Sequence, residues 1–147
     1  LVGARPAEGK KGADKGIDGR LFFHDDAEGA ATKQIILSVK AGHLTAPHVR
    51  DLRGVLDREK AAIGVLVSME DPTPLMRAEA ASAGFYDSTW GTRHPRMQLL
   101  TVAELLAGAR VDYPPSRQTN VTHRKAVKYV ANAAEQPTLP FGGSARQ

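Results

Sequence analysis

An uninterrupted apolar segment near the middle of the chain constrains the fold more than any other feature of the sequence. It spans residues 62–67 and reads Ala-Ile-Gly-Val-Leu-Val. Such a run is too short for a helix with caps, and it is typical of a strand that is buried on both faces. Because strands of this kind alternate with helices that pack on the faces of their sheet, the sequence predicts an α/β protein.

Helical and extended patterns alternate along the rest of the chain. Three helices are predicted, at residues 45–60, at residues 73–83 and from residue 101 to about residue 106. Each range begins with a threonine that can act as the N-cap, namely Thr45, Thr73 and Thr101. Three more strands are predicted, at residues 20–24, 33–40 and 97–100. The first two of these form an antiparallel hairpin with a turn at 25–29, and residues 1–4 read as the end of a truncated helix. The predicted fold is therefore a mixed central sheet of about four strands flanked by helices, in the order (α)ββαβαβα.

Length and charge divide the chain into a body and a tail. The 147 residues suffice for one domain, which we place at residues 1–110, followed by a basic extended arm at residues 111–147. Residues 1–20 carry a net charge of +2, residues 21–109 carry −2 and residues 110–147 carry +4. Basic ends suit a polyanionic partner, although ordinary solubilising charge explains them equally well.

Composition excludes several classes of site. The chain has no cysteine, which excludes disulfides and thiolate metal sites and fits a reducing compartment. It has no apolar run long enough to span a bilayer and no secretory leader, so no membrane partner is predicted and the expected location is the cytoplasm.

An acid and a lysine flank the predicted hairpin. Asp18 precedes its first strand, and Lys40 ends its second strand. Alternation along that second strand places Ser38 on the same face as Lys40. A carboxylate there can bind Mg²⁺, which prefers oxygen ligands, and a lysine beside it can orient water and offset charge on a phosphodiester. A turn role for Asp18 and a solvated strand end for Lys40 are the simpler interpretations of each residue alone.

These residues also carry a family resemblance. The loop Gly16-Ile17-Asp18-Gly19, followed by a hairpin that ends in Ser38-Val39-Lys40, resembles the Mrr-like branch of the PD-(D/E)xK restriction endonuclease superfamily. The later helix and strand patterns look similar too, so that the resemblance covers roughly residues 1–108. Segments at the C-terminal end of some bacterial DNA methyltransferase polypeptides are also similar.

The resemblance implies a PD-(D/E)xK core, Mg²⁺-dependent DNA cleavage, Asp18 as a metal ligand and Lys40 in the active site. The sequence departs from the family pattern at Ser38, where an acid or an amide is expected. A hydroxyl is a weak Mg²⁺ ligand compared with a carboxylate. Asp14, Asp51 and Glu59 are candidates for a second carboxylate, and a water-mediated role remains open for Ser38.

Three functional hypotheses follow. The first is a Mg²⁺-dependent endonuclease domain of a restriction-modification system that acts on double-stranded DNA, with a homodimer plausible because duplex cleavage usually needs two sites. The alternative is a catalytically inactive DNA-binding or specificity module attached to a DNA methyltransferase. The third is a protein-interaction module that acts through a peptide at residues 136–141.

Five cations are candidate DNA contacts. Three of them lie on the Gly-rich loop before the hairpin and two on the first complete helix, and they are Lys10, Lys11, Lys15, Arg50 and Arg53. A solvated loop and a pairing of the arginines with Asp57 are the competing interpretations.

Overall fold

The structure is a computed structural model, and it describes residues 2–6, 16–26 and 31–115. Seven strands and three helices lie in these ranges. The strands are β1 (Arg5–Pro6), β2 (Gly19–Phe23), β3 (Lys33–Lys40), β4 (Ile63–Ser68), β5 (Phe85–Asp87), β6 (Arg93–Pro95) and β7 (Met97–Thr101). The helices are α1 (Ala46–Glu59), α2 (Pro74–Ala81) and α3 (Val102–Leu106).

Five of the strands form one mixed sheet in the order β1-β2-β3-β4-β7. Strands β1, β2 and β3 pair antiparallel, whereas β3 pairs parallel with β4 and β4 with β7. The predicted α/β class and mixed sheet are therefore confirmed, with β1 as an additional edge strand. Strands β5 and β6 form a separate two-stranded hairpin.

Strand β4, which contains residues 63–67 of the central apolar run, lies between β3 and β7, and all six of its residues are buried. One face of the sheet packs against α1 and α2, through a cluster that includes Ile36, Leu56 and Leu66. The other face packs against α3 and the β5–β6 hairpin, through a cluster that includes Phe23, Val65 and Leu105. Both faces of β4 are thus covered, as its continuous apolar pattern predicts.

Local sequence explains where the helices begin. Thr45 is the N-cap of α1, and Pro47 lies in the first turn, where its missing N–H is tolerated. The Thr73 hydroxyl accepts the backbone N–H of Met76 at 3.3 Å at the start of α2. The α3 helix begins with a capping box, in which Thr101 and Glu104 bond each other's backbone N–H groups.

The N-terminal segment departs from expectation. Residues 2–4 are not helical, so the predicted end of a truncated helix is wrong within the described range. Arg5 and Pro6 instead pair with Arg20 and Gly19 of β2. The positive φ of Gly3 (63°) suits a turn into this short strand better than a continuing helix.

Packing continues beyond residue 110. Val111 is buried against the α3 face of the sheet, and the Tyr113 ring lies 5.9 Å from that of Phe23. Asp112 accepts a hydrogen bond from His94 Nδ1 at 2.6 Å, which ties this segment to β6. The domain boundary at 110 stays a prediction, because most of the proposed arm lies outside the described residues. No helix in the described ranges is long and apolar enough to cross a bilayer.

Candidate functional site

The C-terminal ends of β3, β4 and β7 lie at one edge of the sheet, because these three strands are parallel. A cavity of about 500 Å³ opens at this edge between β3 and α1, and we call it the strand-end pocket. Its polar lining comprises Ser38, Lys40, His48, Arg50, Asp51 and Arg58. Open α/β sheets commonly bind ligands outside the carboxyl ends of their strands.

Strand alternation explains why Ser38 and Lys40 both line the pocket. Each side chain on β3 that faces α1 is two residues from the next, so Ile36 packs in the core while the two polar residues follow it outward. Ser38 is only 3% exposed, whereas Lys40 is half-buried at the strand end. The position where the resemblance to Mrr-like endonucleases predicts an acid or an amide therefore carries a recessed hydroxyl.

Helical spacing brings the remaining polar groups to the same cavity. His48, Asp51, Val55 and Arg58 recur three or four residues apart on α1, and they form a stripe beside β3. The Thr45 backbone N–H donates to His48 Nδ1 at 3.1 Å. Because that nitrogen accepts, the neutral imidazole carries its proton on Nε2 and can offer it to a ligand.

The described residues leave two opposite charges of the pocket without ion-pair partners. Neither the Lys40 ammonium nor the Asp51 carboxylate forms an ion pair with another described residue. Arg50 instead contacts Glu79 at 3.5 Å, and Arg58 contacts Glu59 at 3.2 Å. Asp51 is therefore the candidate second carboxylate that the fold brings to the same pocket as Lys40.

Asp18 lies beside the pocket and is not among its lining residues. Its backbone N–H donates to Leu37 O at 2.8 Å, and its Oδ2 accepts the Val39 N–H at 2.7 Å. The carboxylate thus closes the edge of β3 at the point where β2 has not yet begun. The assignment of Asp18 as a metal ligand stays a prediction, and in the structure this side chain caps the strand.

Glu59 is too far from Lys40 to complete a site with it. Its backbone carbonyl accepts from Gln34 Nε2 at 2.7 Å, and six residues separate Gln34 from Lys40 on β3, a distance of about 20 Å. The hydrogen bond from Arg20 is the main reason that the pKa of Glu59 lies below its ordinary value of 4.5. The suggestion of Glu59 as a second metal carboxylate is therefore wrong, because α1 runs back toward the start of β3.

The structure describes only some of the other residues that were predicted to contact DNA or a metal ion. Arg53 donates to Ser82 Oγ at 3.2 Å, and Asp57 pairs with Arg96 at 2.8 Å, so the suggested pairing of Arg53 with Asp57 is not present. The remaining predictions lie outside the described residues, namely Lys10, Lys11, Lys15, Asp14 and the peptide at 136–141.

Glu70 is a carboxylate at the same sheet edge that sequence reasoning overlooked. It follows β4, and β4 ends beside Lys40 in the register of the sheet. Its Oε2 accepts from Leu44 N–H at 3.0 Å and contacts His43 Nδ1 at 3.1 Å. The Leu44 N–H is the main reason that the pKa of Glu70 lies below its ordinary value of 4.5, with His43 adding to it. The sequence could have indicated Glu70 as a site residue, because it closely follows a predicted buried strand and ligands commonly bind at the carboxyl ends of such strands.

The described residues do not supply a ready cation site. No group of three acidic, histidine or cysteine side chains lies close enough together to hold a metal ion in residues 2–6, 16–26 and 31–115. The Asp18 carboxylate already accepts a backbone N–H, and Ser38 is a neutral hydroxyl. Mg²⁺ binding is therefore still only a prediction, and the donor set described here does not fit it well.

Comparison with known families gives one match. The family model described as NACHT-associated inactive Restriction Endonuclease 1 matches residues 3–107, a range that contains all five strands of the central sheet. No curated protein and no solved structure matches the chain. Together with the mixed sheet, this match identifies a restriction-endonuclease-like domain, and the chain belongs to the family of NACHT-associated inactive restriction endonucleases 1.

Proposed function

We propose that this domain binds nucleic acid at the strand-end pocket without cutting it, and that it does so in association with a NACHT domain. The family name supplies both the inactivity and the association. The observation that supports this proposal is the composition of the pocket, which combines Lys40, Arg50 and Arg58 with the recessed hydroxyl of Ser38. The resemblance to Mrr-like endonucleases predicts an acid or an amide at that position.

Charge explains how such a site favours a nucleic acid over a metal ion. A nuclease site of this type needs carboxylates that hold a divalent cation, which in turn polarises the phosphate. With Ser38 in place of a carboxylate, the pocket carries one negative charge fewer. The Lys40 ammonium, which forms no ion pair with a described residue, can then contact phosphate oxygens directly. Phosphate contacts of this kind give affinity and orientation rather than sequence specificity.

The hypothesis of a Mg²⁺-dependent, Mrr-like PD-(D/E)xK endonuclease is the competing proposal. Asp51 favours it, because this carboxylate lines the same pocket as Lys40. The family name favours the inactive alternative, and it names NACHT rather than a methyltransferase as the associated domain. Attachment to a DNA methyltransferase and action within a restriction-modification system therefore rest on the sequence resemblance alone.

Fluorescence anisotropy with the full chain and labelled 20-mer DNA or RNA tests the proposal. Lys40→Ala should weaken binding about tenfold and lower the slope of log affinity against log salt by about 1, because one phosphate contact is lost. Arg93→Gln is the matched control, since Arg93 is an exposed cation on the hairpin that pairs with Asp87 at 2.8 Å. Equal affinities of the Lys40→Ala variant and the parent protein would contradict binding at this pocket.

Plasmid incubation with Mg²⁺ or Mn²⁺ separates the two proposals. A binding module should shift the plasmid in a gel and leave it supercoiled. Nicking that disappears in both Asp18→Ala and Lys40→Ala would refute the non-cleaving proposal and favour the endonuclease. Nicking that survives in both variants points to a contaminating nuclease and requires a repeat with repurified protein before either proposal is judged.

A further inference from the structure

The strand-end pocket has two recessed polar groups on β3 and three exposed charged side chains on α1. Ser38 is 3% exposed and Lys40 is half-buried. The three exposed side chains are those of Arg50, Asp51 and Arg58. The cavity of about 500 Å³ falls within the range of about 300–1,000 Å³ that is usual for small-molecule sites. A duplex presents its phosphates on its convex outer surface, so it can touch the rim of such a cavity more easily than its floor.

The lining also contains a group that a simple polyanion site would exclude. Asp51 is a carboxylate among cations, and no described residue neutralises it through an ion pair. A carboxylate repels phosphate, yet it is a good acceptor for sugar hydroxyls and for the amino groups of bases. Lys40 and Asp51 together therefore match a ligand with an anionic end and a hydrogen-bond-donating end.

The other polar side chains extend the same match. His48 presents an Nε2–H donor when neutral, because its Nδ1 accepts from Thr45. Arg58 offers planar donors that suit a phosphate, whereas the Ser38 hydroxyl both donates and accepts. A phosphorylated sugar with its base is the nucleic-acid unit that carries all the complementary groups.

We propose that the strand-end pocket holds one phosphorylated nucleotide, with its phosphate toward Lys40 and its sugar or base toward Asp51. The nucleotide is either the terminal unit of a strand or a free mononucleotide, since the two share this chemistry. The inference rests on the proposed function and narrows the ligand from nucleic acid in general to a single phosphorylated nucleotide.

Isothermal titration with the full chain tests the chemical match. The ligands are inorganic phosphate and deoxyadenosine 5′-monophosphate, and the variants are Lys40→Ala and Asp51→Asn. Lys40→Ala should weaken both ligands about tenfold. Asp51→Asn should weaken the nucleotide but leave inorganic phosphate equally or more tightly bound, because a repulsive charge is removed. Asp87→Asn is the control, since Asp87 is an exposed carboxylate on the β5–β6 hairpin.

Competition against labelled oligonucleotides distinguishes the sources of the nucleotide. Strands with a 5′- or a 3′-phosphate are compared with the same strand ending in hydroxyls and with closed circular DNA. Preference for a phosphorylated end by about tenfold, together with competition by the mononucleotide, is the expected result. If the mononucleotide binds and no strand does, the assignment of a nucleotide to the pocket is supported, whereas the proposed binding of nucleic acid is overturned.

Three outcomes overturn the inference. Equal binding of all strands and of circular DNA, without competition by the mononucleotide, leaves the proposed function intact and removes the strand-end pocket as a nucleotide site. An Asp51→Asn variant that tightens nucleotide and phosphate binding alike removes the assigned role of the carboxylate. Absence of any binding by phosphate, nucleotide and strands overturns both proposals.

Discussion

Replacing Asp18 by alanine separates a structural role for this residue from a metal-binding one. In the structure, its Oδ2 accepts the Val39 N–H at 2.7 Å, and its own N–H donates to Leu37 O at 2.8 Å. The next residue, Gly19, is the first of β2. The carboxylate therefore stands in for the strand partner that Val39 lacks, and we expect Asp18→Ala to destabilise the domain.

The size of the effect follows from the bond that is lost. A hydrogen bond to a charged group contributes about 1.5–3 kcal/mol, but water can replace the carboxylate at this exposed site. We therefore expect a loss of about 1 kcal/mol, which corresponds to a fall in Tm of about 4 °C for a domain of this size. Asp18→Asn keeps an oxygen acceptor for Val39 without the charge, so it should lose less than the alanine variant.

Urea unfolding followed by circular dichroism measures these differences, because the two variants should change the midpoint without changing the slope. An alanine variant as stable as the parent protein would refute the capping role. An alanine variant that is more stable, and that also loses a stabilisation by Mg²⁺ seen in the parent protein, would restore Asp18 as a metal ligand. Acids that gather to bind a cation repel each other when the cation is absent.

Two further predictions concern the core and the response to acid. Gly64→Ala should lower the free energy of unfolding by about 1–3 kcal/mol in urea, because the added Cβ would lie 2.8 and 2.9 Å from the Cδ atoms of the fully buried Leu56. In a Leu56→Val background the shorter side chain should make this loss of stability smaller. Equal losses in both backgrounds would contradict the contact. Three carboxyls have folded-state pKa values below the ordinary 4.5, so their stabilisation is present above that pH and is lost as pH falls through the lowered values. The urea midpoint should therefore drop below about pH 4.5, and a flat midpoint across that range would contradict the assignment. These carboxyls belong to Glu59, Glu70 and Glu104.

The main helices and sheet strands could be predicted because their patterns are long and their boundaries carry recognisable residues. The predicted strand at 33–40 matches β3 residue for residue, and the predicted helix at 45–60 differs from α1 by one residue at each end. Strands β5 and β6 were missed because three residues cannot display an alternating pattern. Tertiary contacts hold this hairpin instead, including the hydrogen bond that the Tyr86 hydroxyl donates to the buried Asp25 carboxylate.

The residues that line the pocket could be predicted only in part. Alternation along β3 correctly places Ser38 and Lys40 on one face, because that rule depends only on the strand itself. The choice among acids depends on chain direction, which local pattern does not reveal. Because α1 returns toward the start of β3, Asp51 near its beginning reaches the pocket, whereas Glu59 at its end does not.

Under the proposed function, a serine at position 38 changes the kind of ligand that the pocket favours, and not only the strength of one interaction. A carboxylate there would balance Lys40 and raise the affinity for a divalent cation. A neutral hydroxyl leaves the half-buried ammonium without a described counter-ion, and a half-buried cation is stabilised when an anion completes its surroundings. Ser38 therefore weakens the case for Mg²⁺ and strengthens the case for a phosphate. Two results are required together: Lys40→Ala must lose affinity for nucleic acid, and Mg²⁺ must leave the affinity of the parent protein unchanged.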